Sequence, residues 1–127
     1  MPPHRGGDPV RTEPAAPEQL LEVFGWLDRD PVVNVYLVAL LLRDRLAATG
    51  DEYWLARRDG GIAGLVHVGA STGAILPAGD APAVHAALAA RVTARIHVLP
   101  ERFQVVGGRG EVGAIVDRLR PGGLEPR

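Results

Sequence analysis

This sequence predicts an α+β fold: two N-terminal helices packed on an antiparallel β meander, followed by helix–strand–helix. Three observations carry that expectation. Apolar residues recur at helical spacing from Leu20 to Leu46, and Arg58-Asp59-Gly60-Gly61 is a strong hairpin signal between two apolar stretches. The last third then alternates a helical pattern, a β-rich stretch and a second helical pattern. A helix pair must bury its apolar face, and the meander offers a surface for it. At 127 residues the chain is one domain.

Residues 1–16 are rich in proline, glycine and charge without periodicity, which predicts a disordered tail. Pro17-Glu18 suits a helix start, since proline fits the first helical position and an acid fits the positive end of the dipole. Leu20, Leu21, Phe24 and Leu27 follow at helical spacing, and the helix should stop near Arg29. Asp30-Pro31 restarts a helix, with Asp30 as cap. From Val32 to Leu46 the pattern is apolar almost all round, which predicts burial on most sides. Arg43, Asp44 and Arg45 mark the exit to solvent, and Gly50 supplies the left-handed terminal residue.

Tyr53–Arg57 reads as a strand, with Asp59-Gly60 supplying the positive φ of a tight turn and Ile62–Val68 returning. Gly73–Leu76 is a short third strand ended by Pro77. Asp80 caps a helix over Ala81–Val92, with Pro82 in its first turn. Arg95–Leu99 is a strand or an extended link, and Phe103–Val106 a strand. Glu111–Leu119 is a helix with Val112, Ile115, Val116 and Leu119 on one face, stopped by Pro121-Gly122-Gly123. The folded domain is therefore expected over 17–120, with a flexible end at 121–127.

Composition narrows the function. Apolar residues make up 46% of the chain, the globular range, and a net charge of −1 gives no field to draw in nucleic acid or an anionic membrane. No nucleic acid and no membrane partner is expected. The longest apolar stretch, Val32–Leu42, is far short of the ~20 residues of a membrane span, and the first eight residues lack the apolar core of a signal peptide. There is no cysteine, which removes disulfides, thiol nucleophiles and thiolate-held zinc and fits a cytoplasmic location. There is no lysine either, which with abundant Ala, Gly and Pro reads as codon bias.

Gly108-Arg109-Gly110-Glu111-Val112-Gly113 spells G-x-G-x-x-G at a helix start, where free amides can hold a phosphate. A dinucleotide site also needs a further strand with an acidic residue about 20 positions on, and that is missing. The alternative is a tight strand-to-helix turn. The four histidines have no metal-ligand spacing, so no metal is expected unless ligands meet through the fold. His67 should be a sheet residue on the less apolar face, and His85 exposed. Ser71 lacks the G-x-S-x-G elbow of a hydrolase. Asp28 and Asp30 flank Arg29 at a helix junction without any sign of a paired-carboxylate cleft. Trp26, Tyr36, Tyr53 and Trp54 read as core residues. Asn34, amid apolar neighbours, must find hydrogen-bond partners, either cross-linking backbone at the helix junction or lining a pocket. No residue is assigned a catalytic role.

The stretch Trp26-Leu27-Asp28-Arg29-Asp30-Pro31-Val32-Val33-Asn34-Val35-Tyr36-Leu37 resembles the helix start of a domain found ahead of many bacterial GNAT-type acetyltransferase modules. Glu52–Ala56 with Gly60–Leu65 resembles that domain's strand–turn–strand, Val68-Gly69-Ala70 its strand exit, and Gln104-Val105-Val106-Gly107-Gly108 its late strand and turn, together spanning roughly 26–119. The resemblance implies a GNAT-like half-fold. In relatives a catalytic module binds acetyl-CoA through a (Q/R)-x-x-G-x-(G/A) loop whose amides hold the pyrophosphate at a helix start. The nearest match here, Gln104–Arg109, ends in arginine where a small residue is wanted.

Three readings follow. The first is an accessory domain, inactive alone, that shapes a substrate pocket or interface beside a catalytic GNAT module in cis or trans, with acetyl-CoA bound by that module. The second is a minimal self-contained acetyltransferase using Gly107, Gly108, Gly110 and Gly113 for the pyrophosphate, with Asn34 and His67 in the substrate pocket. The third is a non-catalytic interaction domain that forms a homodimer.

Overall fold

The computed structural model describes residues 9–31, 33–46, 51–70 and 72–119. A five-stranded sheet runs in the order β1 (Arg11–Pro14), β2 (Glu52–Arg58), β3 (Gly61–Val68), β4 (Ala74–Gly79) and β5 (Gln104–Val105). The first four strands are antiparallel in turn, and β5 joins β4 in parallel. Helices α1 (Leu20–Leu27) and α2 (Val35–Asp44) pack on one face, α3 (Pro82–Ala94) and α4 (Arg109–Leu119) on the other. The architecture is α+β, with the expected helix pair, meander and helix–strand–helix.

Alternation along the strands sorts the two cores. Leu55 and Leu65 pack with Val23, Leu27, Leu37 and Leu41 of the first helix pair. Ala56, Val66 and Val68 pack with Val84, Leu88, Val92, Ile115 and Leu119 of the second. Burial on both faces explains why β3 reads as a near-continuous apolar run. The β2–β3 register shifts between Ala56 and Arg57, so Ala63 is the extra residue of a bulge. Beside it, a Cβ on Gly64 would stand 2.6 Å from Val84 Cγ1, so glycine lets α3 approach closely. The hairpin is as expected, with φ of 56° at Asp59 and 81° at Gly60.

Several expectations are corrected. Residues 11–14, placed within an irregular tail, form the edge strand β1, paired from Arg11↔Arg57 to Pro14↔Trp54 and tied by Arg57–Glu13 at 2.9 Å. A four-residue strand held by its neighbour has no periodicity of its own to read. The second helix begins only at Val35. It ends at Asp44, with Arg45 and Leu46 taking the left-handed conformation (φ 52° and 59°), while Gly50 lies outside the described residues. Asp30 contributes its backbone carbonyl, which accepts the Asn34 N–H at 3.1 Å. Strand β4 runs through Pro77 to Gly79. On that side Gly73 and Ile75 carbonyls accept from Gln104 and Val106, and Pro77 comes next, where β5 has already ended, so no ladder bond is lost. Asp80 makes no side-chain cap to α3 and pairs instead with Arg29 at 3.0 Å. Residues 96–98 form a 3₁₀ turn.

The largest difference is in α2. Its outward side, expected to be buried, leaves Val35, Tyr36 and Leu42 exposed, with Val33 exposed just before it. Tyr36 is thus not a core residue; Tyr53 is. Among the described residues, no helix is long and apolar enough to cross a membrane.

Candidate functional site

A groove runs between α2 and the far strands of the sheet. It comprises two cavities, of about 280 and 500 Å³, that share Tyr36, Leu76 and Val106. The walls of the larger are apolar: Tyr36, Ala39 and Leu40 from α2 face Ala74, Leu76 and Val106 from the sheet side. Arg43, Asp51, His67 and Thr72 supply its polar atoms.

The polar part is built from three segments. His67, near the end of β3, is only 2% exposed and packs tilted against Tyr53 of β2 at 4.9 Å between ring centroids. Its Nε2 lies 3.1 Å from Asp51 Oδ2, and the other Asp51 oxygen accepts the Ala70 N–H at 3.1 Å. A carboxylate only accepts, so Nε2 carries the proton. Nδ1 is buried and has no partner among the described residues. Behind this pair Asp44, at the end of α2, takes a two-pronged contact from Arg43 at 2.6 and 2.8 Å and the Tyr53 hydroxyl at 2.6 Å. Arg43 also reaches Asp51 at 3.7 Å.

These contacts set the charge states. The Arg43 guanidinium, with the Tyr53 hydroxyl, holds the Asp44 carboxyl down at about 2, against the opposing effect of burial. Burial and then the Asp44 bond push the Tyr53 phenol up. Burial pushes His67 down, opposed by Asp51, so the imidazole is neutral at pH 7. Asp44, Asp51 and His67 bring one ligand atom each within 4.8 Å of one another. Arg43 already supplies a cation to both carboxylates there, and Tyr53 takes a further lone pair of Asp44.

The smaller cavity holds the other pocket residue expected from sequence. Asn34 lines it, and its Nδ2 donates to the Leu27 carbonyl at 3.0 Å, tying the end of α1 to the start of α2. Asn34 thus links backbone at the helix junction, one of the two roles considered for it, and also borders a cavity. Gly107, Gly108 and Glu111 line the same cavity. Glu111, in the first turn of α4, accepts the Gly79 N–H at 3.1 Å and lies 3.8 Å from His85 Nε2. His85, expected to be exposed, is half-buried, with Nε2 3.2 Å from the Gly79 carbonyl.

The G-x-G-x-x-G glycines, Gly108, Gly110 and Gly113, and Gly107 just before them differ in their surroundings. A Cβ on Gly107 would stand 3.1 Å from the Pro77 carbonyl, on Gly108 2.6 Å from Glu111 Oε1, and on Gly110 2.8 Å from His85 Cε1, while Gly113 meets nothing. Close packing against Pro77, Glu111 and His85 accounts for three of the four.

Sequence reasoning therefore reached Asn34 and His67 but missed Arg43, Asp44, Asp51 and Glu111. His67, expected on the less apolar face of the sheet, is buried on the face it shares with Tyr53, Leu55 and Leu65. One signal was available for Asp51. The hairpin register sets Glu52 opposite Val68, so the preceding residue falls beside the end of β3, where a buried imidazole needs a partner.

No protein-family model matches the sequence, and no curated protein matches it. Among solved structures, the crystal structure of aminoglycoside N-acetyltransferase AAC(6')-Ib11 is similar, with a TM-score of 0.51 at 14% sequence identity. The match covers 91% of this chain and 86% of that one, so the likeness extends over most of the neighbour. At that identity the likeness is one of fold alone, and the fold is GNAT-like.

Proposed function

We propose that this chain is a GNAT-fold module that does not carry acetyl transfer itself, and that its groove shapes a substrate pocket or interface beside a catalytic acetyltransferase module. One observation carries the reading: a carboxylate, Glu111, stands in the first turn of α4, where an acetyl-CoA pyrophosphate would need bare amides. Such a group binds at a helix start because amides and the helix dipole favour negative charge. In the first turn of α4 the Glu111 carboxylate, bonded to the Gly79 N–H of β4 and packed over Gly108, puts negative charge beside that helix start. Asp80, just before α3, is paired with Arg29. A pyrophosphate at the α4 start meets the like charge of Glu111, so the residues there do not fit the cofactor.

The polar cluster supports the same reading. A general base must reach the proton that it removes. The proton-free nitrogen of His67 is enclosed, and its other nitrogen is engaged by Asp51. His67 holds Asp51 in place rather than serving a bound amine. The self-contained acetyltransferase built on Gly107–Gly113 has less support, since Gly107, Gly108 and Gly110 are taken up by packing.

The test is release of free thiol from acetyl-CoA by the purified chain with a panel of primary amines. The expected result is no turnover above the protein-free control. Turnover that scales with protein concentration and is abolished by His67→Ala would overturn the reading.

A further inference from the structure

We propose that the outward face of α2 is a two-fold interface between two copies of this chain. The face is apolar where a solvent-exposed helix should be polar. Val35, Ala39 and Leu42, spaced i, i+4 and i+7, line it, with Val33 just before the helix and Tyr36 beside them; Tyr36 and Ala39 stand at its edge, where it meets the groove. Exposure is 70% at Val33, 52% at Val35, 68% at Tyr36 and 60% at Leu42. From Val33 to Leu42 there is no charged residue. Such a contiguous patch marks an interaction surface.

Charge at the two ends selects a second copy as the occupant. Before the stretch stand Asp28, Arg29 and Asp30, two carboxylates to one guanidinium; after it stand Arg43, Asp44 and Arg45, two guanidiniums to one carboxylate. Arg29 is engaged by Asp80 and Arg43 by Asp44, so the net charge left is acidic at the start and that of Arg45 at the end. A two-fold axis pairs α2 antiparallel with its copy and sets each acidic end against a basic one, as an isologous interface requires. Antiparallel helix dipoles agree with that arrangement. With the axis near Ala39, Tyr36 lies opposite Leu42 of the second copy, and the small Ala39 lets the helices come close. The terminal stretches outside the described residues do not match the stripe, with one large apolar residue each, Met1 in 1–8 and Leu124 in 120–127.

The experiment is light scattering of the full chain from about 5 to about 500 µM, the range of small interfaces. Mass should rise with concentration from 13.5 kDa toward twice that value. Tyr36→Glu and Leu42→Glu, at exposed positions, should each weaken dimerisation by about tenfold or more, with circular dichroism unchanged. Arg45→Glu should weaken it too, and adding Asp28→Arg and Asp30→Arg to that variant should restore it. If one variant fails to fold, the others still decide. A chain that stays at 13.5 kDa throughout assigns the face to another partner and overturns the proposal. So does a dimer indifferent to both glutamates, or a charge-reversed triple variant that does not recover.

Discussion

Glu111 Oε2 lies 3.1 Å from the Gly79 backbone nitrogen, so a side chain from the first turn of α4 closes the end of β4. That N–H points to the side where β5 has ended and Pro77 has no donor, and the carboxylate takes the place of a missing strand partner. Glu111→Ala should leave the amide without a protein partner and lower stability by about 1–3 kcal/mol, the range for a lost charge-assisted bond. Urea denaturation should show a lower midpoint at unchanged slope. Glu111→Gln, which keeps an acceptor, should recover part of the loss.

Asp44 gives a pH dependence in the acid range. Its folded value of about 2 lies below the ordinary 3.8, so the carboxylate stabilises the fold above the unfolded value. That contribution, up to about 2 kcal/mol, should disappear as pH falls from about 4 to about 2. Asp44→Asn should flatten this part of the stability curve, measured by chemical denaturation at a series of pH values.

His67 acts higher on the scale. Its folded value is lowered by burial, so the unfolded chain binds the proton more readily. Stability from this residue is therefore present above the unfolded value, near about 6.5, and declines as pH falls below it. The protonated ring would also place a second buried N–H, on Nδ1, without an acceptor. His67→Gln should remove the slope in this window. A variant whose curve between pH 5 and 7 overlays the wild type would contradict the assignment.

Asn34→Leu tests the link between α1 and α2. Loss of the Nδ2 bond to the Leu27 carbonyl leaves that acceptor without its side-chain donor, and the variant should be less stable by about 1 kcal/mol. Thermal unfolding should show a lower midpoint. A stabilised variant would mean that the amide serves the cavity alone.

The fold was legible where local chemistry and tertiary packing agree. Asp59-Gly60 needs positive φ at both positions, so the hairpin could be read from two letters. Along Val112 to Leu119 periodicity found the buried side, with Ile115 and Leu119 on it; in Leu20 to Leu27 it found Leu27 but missed Val23 and wrongly included Leu21, which is exposed. Legibility failed where a neighbour decides. Strand β1 exists because β2 offers a ladder, and Pro77 sits in β4 because β5 ends early. Burial was expected along the whole second helix because an apolar residue reads alike whether it faces a core or a surface. Leu37 and Leu41 face the core, whereas Val35 and Leu42 face outward. In the candidate site, His67 was visible as an oddity in a strand. Its partners Asp44 and Asp51 come from separate segments and carry no shared spacing.

The most direct test of the account is calorimetric titration of acetyl-CoA into the purified chain at millimolar ligand, read alongside the shift in thermal midpoint. With Glu111 in the first turn of α4, no saturable heat and no rise in midpoint are expected, since a ligand that binds the folded state must stabilise it. Saturable binding of acetyl-CoA that weakens when free pyrophosphate competes would contradict the central claim.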